Sequence, residues 1–145
     1  MNNRNLTPSL EDYLETILRL ERKNRVARVK DIAALLDVQM PSVTGALKNL
    51  RTRGLVNYEK NSYISLTDEG MGIAKSVEGK HELLVEFLNG ILLVPLEDAE
   101  EEACEIEHVI SKETASKLKK MTNYLQNEIF NNNNLSSDEW KKIIT

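Results

Sequence analysis

Apolar positions recur at helical spacing near the start of the chain. Thr7-Pro8-Ser9 supplies the residue types that begin helices, and an apolar stripe follows directly. The stripe consists of Leu10, Tyr13, Leu14, Ile17 and Leu18. A second periodic run, residues 29–36, predicts a short helix. The first 36 residues therefore predict two helices, the first ending near Arg22.

A third helix is predicted after the break Asp37-Val38-Gln39. Pro41 suits the first turn of a helix, because its fixed φ matches the helix and its missing N–H costs nothing there. The helix is predicted to run from Ser42 to about Arg53 and to end at Gly54, a residue type that favours helix ends. Gly45 lies inside it and lowers its helix propensity by about 1 kcal/mol relative to Ala.

The period then changes to that of short strands. Residues 55–58 and 63–66 have strand character and are separated by a polar stretch, so they predict a hairpin. A long helix is predicted from Thr67 to about Leu92, and it carries His81. Pro95 opens another helix, predicted to end near Ser111, which can cap a helix to about Leu125. The asparagine run at 131–134 is interpreted as a linker before a short terminal helix.

Two helices joined by a tight turn and followed by a hairpin make up a winged helix-turn-helix. The predicted fold class is therefore mainly α, with a small β-hairpin wing in residues 1–70 and an all-helical domain in residues 71–145. In such a unit the second helix enters the major groove of DNA with its N-terminal residues nearest the bases. The alternative is a helical hairpin used only for packing.

The candidate DNA-binding residues follow from that placement. Side chains of Ser, Thr and Gln hydrogen-bond bases, whereas Lys and Arg suit phosphates. The candidates are Gln39, Pro41, Ser42, Thr44, Lys48, Arg51 and the hairpin residue Lys60.

The distribution of charge changes the picture that the net charge of −4 gives. Residues 1–60 carry 11 Lys and Arg against 7 Asp and Glu, whereas residues 61–145 carry 8 against 16. One half is thus suited to phosphates and the other to cations, although solvated surfaces often differ in this way.

A candidate metal site lies in the sequence CEIEH, residues 104–108. Cys104, Glu107 and His108 are spaced to share one face of a helix, and all three types bind first-row metals. Asp12 and Glu15 stand three residues apart beside the apolar stripe of the first helix, where carboxylates need partners. Each residue also has an ordinary structural interpretation, such as a buried cysteine.

Hydropathy and cysteine content also bear on the cellular compartment. No apolar run approaches the ~18 residues of a membrane span, and residues 1–13 have no signal-peptide pattern. A single cysteine cannot form an internal disulfide, so a cytoplasmic setting is expected.

The chain resembles the metal-dependent transcriptional regulators that include the diphtheria toxin repressor and the manganese transport regulator. The resemblance covers roughly the first 115 residues. The matching stretches are TPSLEDYLETILRLE, VKDIAALLDV, PSVTGALKNL, GLVNYE, LTDEG, KHELLVEFL and EEACEIEHVIS, in that order. The iron branch of that family has an additional SH3-like domain, for which this chain is too short, so its architecture is similar to the manganese branch.

The resemblance implies a homodimeric repressor that binds a DNA operator when Mn²⁺ or Fe²⁺ is bound, with Zn²⁺ or Co²⁺ as surrogates. By position the implied ligands are Asp12, Glu15, His81, Cys104, Glu107 and His108. Manganese-type relatives typically have glutamate at position 104 and iron-type relatives cysteine, whereas aspartate at position 12 is the manganese pattern. Val85 stands where both branches often have a carboxylate, and Glu100 stands where the iron branch has a histidine.

Two other classes remain as alternatives. One is a metal-independent winged-helix regulator in which CEIEH only packs. The other is a small metallohydrolase, which needs an open metal position and a positioned base. The sequence has no separate base or nucleophile pattern, so no enzyme activity is expected.

Overall fold

The computed structural model describes residues 6–131 and 135–145, so residues 132–134 of the predicted linker lie outside the described residues. The elements are α1 (Pro8–Asn24), α2 (Val29–Leu36), α3 (Met40–Thr52), β1 (Val56–Asn57), β2 (Ser65–Leu66), α4 (Asp68–Val85), α5 (Leu96–Ile106), α6 (Lys112–Leu125) and α7 (Ser137–Ile144). Two π-helical segments, Glu86–Ile91 and Gln126–Asn131, follow α4 and α6.

Packing divides the chain into two compact units, Met1–Glu78 and Gly79–Thr145. The division lies within α4, so this helix begins in the first unit and carries His81 in the second. The expected separation of a DNA-binding part at 1–70 from a metal-binding part at 71–145 stays a prediction.

Helix α1 begins where its capping residues predicted. The Thr7 hydroxyl accepts a hydrogen bond from the Leu10 amide at 3.2 Å, which satisfies one of the amides that a helix start leaves open. The apolar stripe is buried, and Leu14 and Ile17 are fully enclosed. The helix continues to Asn24, two residues beyond the predicted end.

The helix-turn-helix forms as predicted. Helix α2 spans the predicted residues, and Asp37 ends it in the left-handed region at φ 52°. Helix α3 begins at Met40, two residues before the predicted start, so Pro41 still lies in its first turn. Gly54 follows α3 at φ +72°, a conformation that glycine adopts without a Cβ clash.

The hairpin is shorter than predicted. Strands β1 and β2 are antiparallel with Val56 opposite Leu66, and each has only two residues. An isolated bridge pairs Ile64 with Ala27, just before α2. The amide of Leu66 donates to the carboxylate of Glu21 at 3.0 Å, so α1 takes the place of a further strand. The hairpin is thereby fastened to the helices on both sides.

In the second unit one predicted helix changes its form before its end and another ends early. The long helix is α-helical to Val85 and then π-helical to Ile91, and α5 ends at Ile106 rather than near Ser111. Its small core contains Leu84, Leu88, Ala99 and Ala103. Ser111 caps α6 as predicted, because its hydroxyl accepts from the Thr114 amide at 3.1 Å.

The C-terminal helix α7 is capped at its start and hydrogen-bonded to the rest of its unit through Trp140. Ser136 and Glu139 form a reciprocal capping box at its start. The indole N–H of Trp140 donates to the Ile91 carbonyl at 2.6 Å. Among the described residues, no helix has the length and apolar character needed to cross a bilayer. The predicted class, mainly α with a winged helix-turn-helix and a following helical region, is confirmed.

Candidate functional site

The start of α3 presents polar side chains to solvent. Gln39, Pro41, Ser42 and Lys48 are exposed. Thr44 is half-buried, and its hydroxyl donates to the Met40 carbonyl at 3.2 Å within the same helix. Because a hydroxyl has lone pairs as well as one proton, this bond leaves Thr44 able to accept. The residues predicted to contact DNA bases therefore lie at one accessible end of α3.

A concave face of about 890 Å³ lies between that helix and the hairpin within the first unit. The predicted residues Thr44, Lys48, Arg51 and Lys60 line it. Two further cations that the sequence analysis did not include, Arg28 and Lys30, also line it. The described lining residues include no Asp or Glu. The face is thus uniformly basic, as a surface for nucleic acid phosphates should be.

Two arginines of this face lie over tyrosine rings. The Arg51 guanidinium lies 5.8 Å from the ring centre of Tyr58 and donates to the Tyr58 carbonyl at 3.1 Å. Arg28 lies 5.4 Å from the ring centre of Tyr63. In the sequence Arg28 stands directly before a predicted helix start, and this position could have identified it. It was included only in the count of basic residues.

The second unit holds a cluster of imidazole and carboxylate groups. The Nδ1 atom of His81 lies 2.7 Å from Oε2 of Glu107, and its Nε2 atom lies 2.7 Å from Oε2 of Glu100. His81 is on α4, Glu100 is on α5 and Glu107 follows the end of α5. The ring is therefore held between two carboxylates, one on each nitrogen.

The surroundings of His81 raise its pKa. Burial of the ring lowers the pKa, but the hydrogen bond to Glu100 and the charge and hydrogen bond of Glu107 outweigh burial. The net result is a pKa above the ordinary histidine value of 6.5. Glu100 was noted in the sequence only as a departure from a family pattern, so the sequence analysis missed it as a partner of His81.

Glu107 is the most enclosed charged residue of the cluster. Its side chain is 0% exposed, and its Oε1 atom lies 3.5 Å from Nε2 of His108, whose side chain is 5% exposed. A carboxylate removed from water requires hydrogen-bond or ionic partners. His81 provides one at Oε2, whereas His108 lies beside Oε1 at a separation longer than a usual hydrogen bond.

Cys104 differs from Glu107 and His108 in its surroundings. The expectation that all three share one helical face assumed a helix continuing past His108, but α5 ends at Ile106 and Glu107 is its C-cap. Cys104 is exposed, whereas the other two side chains are buried. Its assignment as a ligand stays a prediction.

The turn that carries Glu107 and His108 is closed by a lysine. The ammonium group of Lys80 donates to the Ile110 carbonyl at 2.8 Å, and Lys80 directly precedes His81 on α4. Helix α4 thus supplies both His81, which contacts Glu107, and Lys80, which hydrogen-bonds to the turn. Lys80 was part of the quoted KHELLVEFL stretch but had no role in the sequence analysis.

The two predicted ligands of the first unit lie on α1. Glu15 is buried, with 6% exposure, and its Oε1 atom accepts from Arg19 at 3.2 Å. Asp12 is half-buried one turn earlier. Both are carboxylates on the partly enclosed side of the helix, as the sequence predicted.

The donor chemistry of the cluster fits a divalent first-row cation. Within the second unit it offers two imidazoles and two carboxylates, and these groups suit Mn, Fe, Co and Zn. A cation would also offset the concentrated negative charge of Glu100 and Glu107.

Comparisons with known proteins agree with both parts of this description. Residues 5–63 match the model of the N-terminal DNA binding domain of iron dependent repressors. Residues 67–133 match the model of their metal binding and dimerisation domain.

Known transcriptional regulators match the sequence over most of the chain. An HTH-type transcriptional regulator of Methanocaldococcus jannaschii is 38% identical over 115 residues, which are 79% of this chain and 92% of that one. The regulator MntR of Oceanobacillus iheyensis is 36% identical over 122 residues, 84% of this chain and 82% of its own.

A solved structure extends the comparison to the fold. The manganese regulator SloR superposes with a TM-score of 0.72 at 34% identity, covering 82% of this chain. The match spans 55% of the length of that solved chain. With both family models matched in order and relatives above 30% identity over most of their length, the chain belongs to the iron dependent repressor family of metal-dependent transcriptional regulators.

Proposed function

We propose that the protein is a transcriptional repressor of metal-ion homeostasis that binds its DNA operator as a homodimer when Mn²⁺ or Fe²⁺ is bound. The observation that carries this proposal is the buried carboxylate of Glu107 between the imidazoles of His81 and His108. Contact with DNA does not require a buried carboxylate of this kind, whereas binding of a metal cation does. The protein would act in the cytoplasm, where its DNA is, and the proposal includes no catalytic step.

We propose Asp12, Glu15, His81, Cys104, Glu107 and His108 as the residues that hold the metal. A divalent cation supplies positive charge that compensates the carboxylates. Because the proposed ligands come from both units of the chain, holding them together would restrict the conformations of the DNA-reading part. Restricting them raises DNA affinity by removing the population cost of the binding-competent state.

The DNA contacts proposed for the first unit divide into two kinds. Gln39, Ser42 and Thr44 at the start of α3 would contact base edges, with Pro41 packing beside them. Lys48, Arg51 and Lys60 would contact phosphates and set the register. The basic concave face supports this division, because these three cations surround it.

Dimerisation is proposed for the second unit because large apolar side chains are exposed there. They are Leu92, Leu93, Leu96, Val109, Met121, Tyr124 and Ile143. Exposed apolar side chains that lie together mark a protein interface, and the family model that matches this unit describes a dimerisation domain. A two-fold dimer would present two α3 helices to successive major grooves, about 34 Å apart.

The metal preference depends on the mixture of donors. Carboxylate oxygens at Asp12, Glu15 and Glu107 favour Mn²⁺, whereas the thiolate at Cys104 favours Fe²⁺, Co²⁺ or Zn²⁺. We therefore propose that Mn²⁺ and Fe²⁺ both activate the protein, with Zn²⁺ and Co²⁺ as surrogates.

The test measures binding to an operator selected from random duplex DNA, with and without each metal, under reducing conditions. We expect tight binding only with metal, and His108→Ala should abolish the metal response while retaining weak non-specific binding. Equal affinity with and without metal, unchanged by His108→Ala, would instead favour a metal-independent winged-helix regulator.

A further inference from the structure

An arginine that lies against the hairpin is not used by the proposed contacts. Arg28 is the residue before α2, and its guanidinium lies 5.4 Å from the ring centre of Tyr63 in the hairpin. Its neighbours fix this arrangement, because the Ile64 amide donates to the Ala27 carbonyl at 3.0 Å. One backbone bridge therefore places a cation of the helix-turn-helix directly against an aromatic ring of the wing.

The other ring-stacked arginine of the face has a different set of partners. Arg51 also donates to the Tyr58 carbonyl, so part of its hydrogen-bonding capacity stabilises the base of the hairpin. Arg28 is exposed and lines the concave face together with Tyr63. Of the two, Arg28 is the better placed to bind a ligand from solvent.

Stacking on a ring prepares an arginine for phosphate. The ring attracts the face of the guanidinium and leaves its N–H edge directed away from the ring. That edge matches the two oxygens of a phosphate, and the stacked side chain has already lost part of its conformational freedom. Arg28 would therefore bind an anion at a lower entropic cost than an unsupported lysine.

The surroundings indicate which anion it is. The concavity has a volume of about 890 Å³, and Lys30, Lys48 and Lys60 line it in addition to the two arginines. Several cations spread along one open concavity suit a chain of phosphates better than a single small anion.

We propose that Arg28, supported by Tyr63, is a phosphate-binding residue that gives the wing side of this protein its own anchor on DNA. The inference rests on the proposed function and adds a contact that α3 does not provide. It predicts that affinity depends on the start of α2 and on the hairpin ring together. Because phosphates carry no sequence information, this anchor would act equally on all DNA sequences.

The test measures DNA affinity across a salt series with saturating metal, on the selected operator and on unrelated duplex. We expect Arg28→Ala to weaken binding about tenfold on both and to reduce the slope of log affinity against log salt by about 1. Tyr63→Leu should weaken binding although it removes no charge, and Tyr63→Phe should bind like the parent because the ring face remains.

Lys23→Ala is the matched control, because Lys23 is an exposed cation of the last turn of α1 outside the concave face. Arg28→Ala and Lys23→Ala behaving alike in affinity and salt slope would overturn the role of Arg28. So would Tyr63→Leu binding like Tyr63→Phe. These outcomes differ from failure of the proposed function, in which the parent itself would bind no operator in response to metal.

Discussion

The Nε2 atom of His81 lies 2.7 Å from Oε2 of Glu100, a carboxylate whose side chain is half exposed. The opposite edge of the same ring contacts Glu107, which is fully buried. One imidazole thus links a carboxylate at the surface to one in the interior. In the metal-free protein this arrangement favours the doubly protonated ring, since each nitrogen then donates to an oxygen.

A nuclear magnetic resonance titration of the metal-free protein should find the pKa of His81 above its ordinary value of 6.5. Glu100→Gln should lower that pKa, because it removes a negative charge and a charge-assisted bond from the ring. The chain has two histidines, so the ring signal of His81 can be followed separately. Glu102→Gln, an exposed acid on the same helix, is the control and should leave the pKa unchanged.

The direction of the shift also fixes how stability depends on pH. A pKa raised in the folded state contributes stability that is fully present below about pH 6.5 and is lost as the pH rises through the folded-state pKa. The free energy of unfolding of the metal-free protein should therefore fall over that window, and less so in Glu100→Gln. An identical pH dependence in both proteins would contradict the role of Glu100.

Cys104→Glu should shift metal preference toward Mn²⁺. The exposed position accepts a glutamate without a packing cost, and a hard oxygen replaces a soft thiolate. The ratio of the dissociation constants for Co²⁺ and Mn²⁺ should change by about tenfold in favour of Mn²⁺. Cys104→Ser separates loss of the thiolate from gain of the carboxylate. A ratio unchanged in both variants would remove Cys104 from the ligand set.

Gly45→Ala should stabilise the protein and weaken its binding to DNA. A Cβ at position 45 would have no neighbour within 4 Å, so the gain in helix propensity of about 0.5–1 kcal/mol should appear in the free energy of unfolding. The same methyl group would lie on the exposed side of α3 and hold the backbone away from DNA. Gly72→Ala, in open space on α4, should stabilise similarly and bind DNA normally.

Gly70→Ala should destabilise the first unit. A Cβ there would overlap the Leu55 carbonyl oxygen, which is backbone and cannot rotate away. That carbonyl also accepts from the Thr67 amide at 3.1 Å, so displacing it disturbs the start of α4. We expect a loss of about 1–3 kcal/mol in urea unfolding. A free energy of unfolding equal to that of Gly72→Ala would show that the Leu55 carbonyl moves aside at little cost.

Local signals predicted the helix-turn-helix well because each acts over a few residues. The cap at Thr7, Pro41 in a first turn and the turn at Gly54 each depend on their own backbone chemistry. The family resemblance then connected residues far apart in the sequence, which periodicity alone could not do.

The parts that sequence reasoning missed depend on contacts between distant segments. The pairing of Glu100 with His81 joins positions 19 residues apart, and no local pattern identifies it. The turn that follows the end of α5 at Ile106 is closed by Lys80 from another helix. The bond from the Leu66 amide to Glu21 likewise joins segments 45 residues apart, which no local pattern identifies.

Trp140 is the only tryptophan of the chain, and its half-buried indole donates to the Ile91 carbonyl. The protein therefore carries a single indole, which fluoresces at longer wavelength than its four tyrosines and lies where the last helix meets the π-helical segment after α4. Its emission wavelength reports whether α7 is seated there. Release of the helix would move the emission to longer wavelength, so α7 can be followed without any added label.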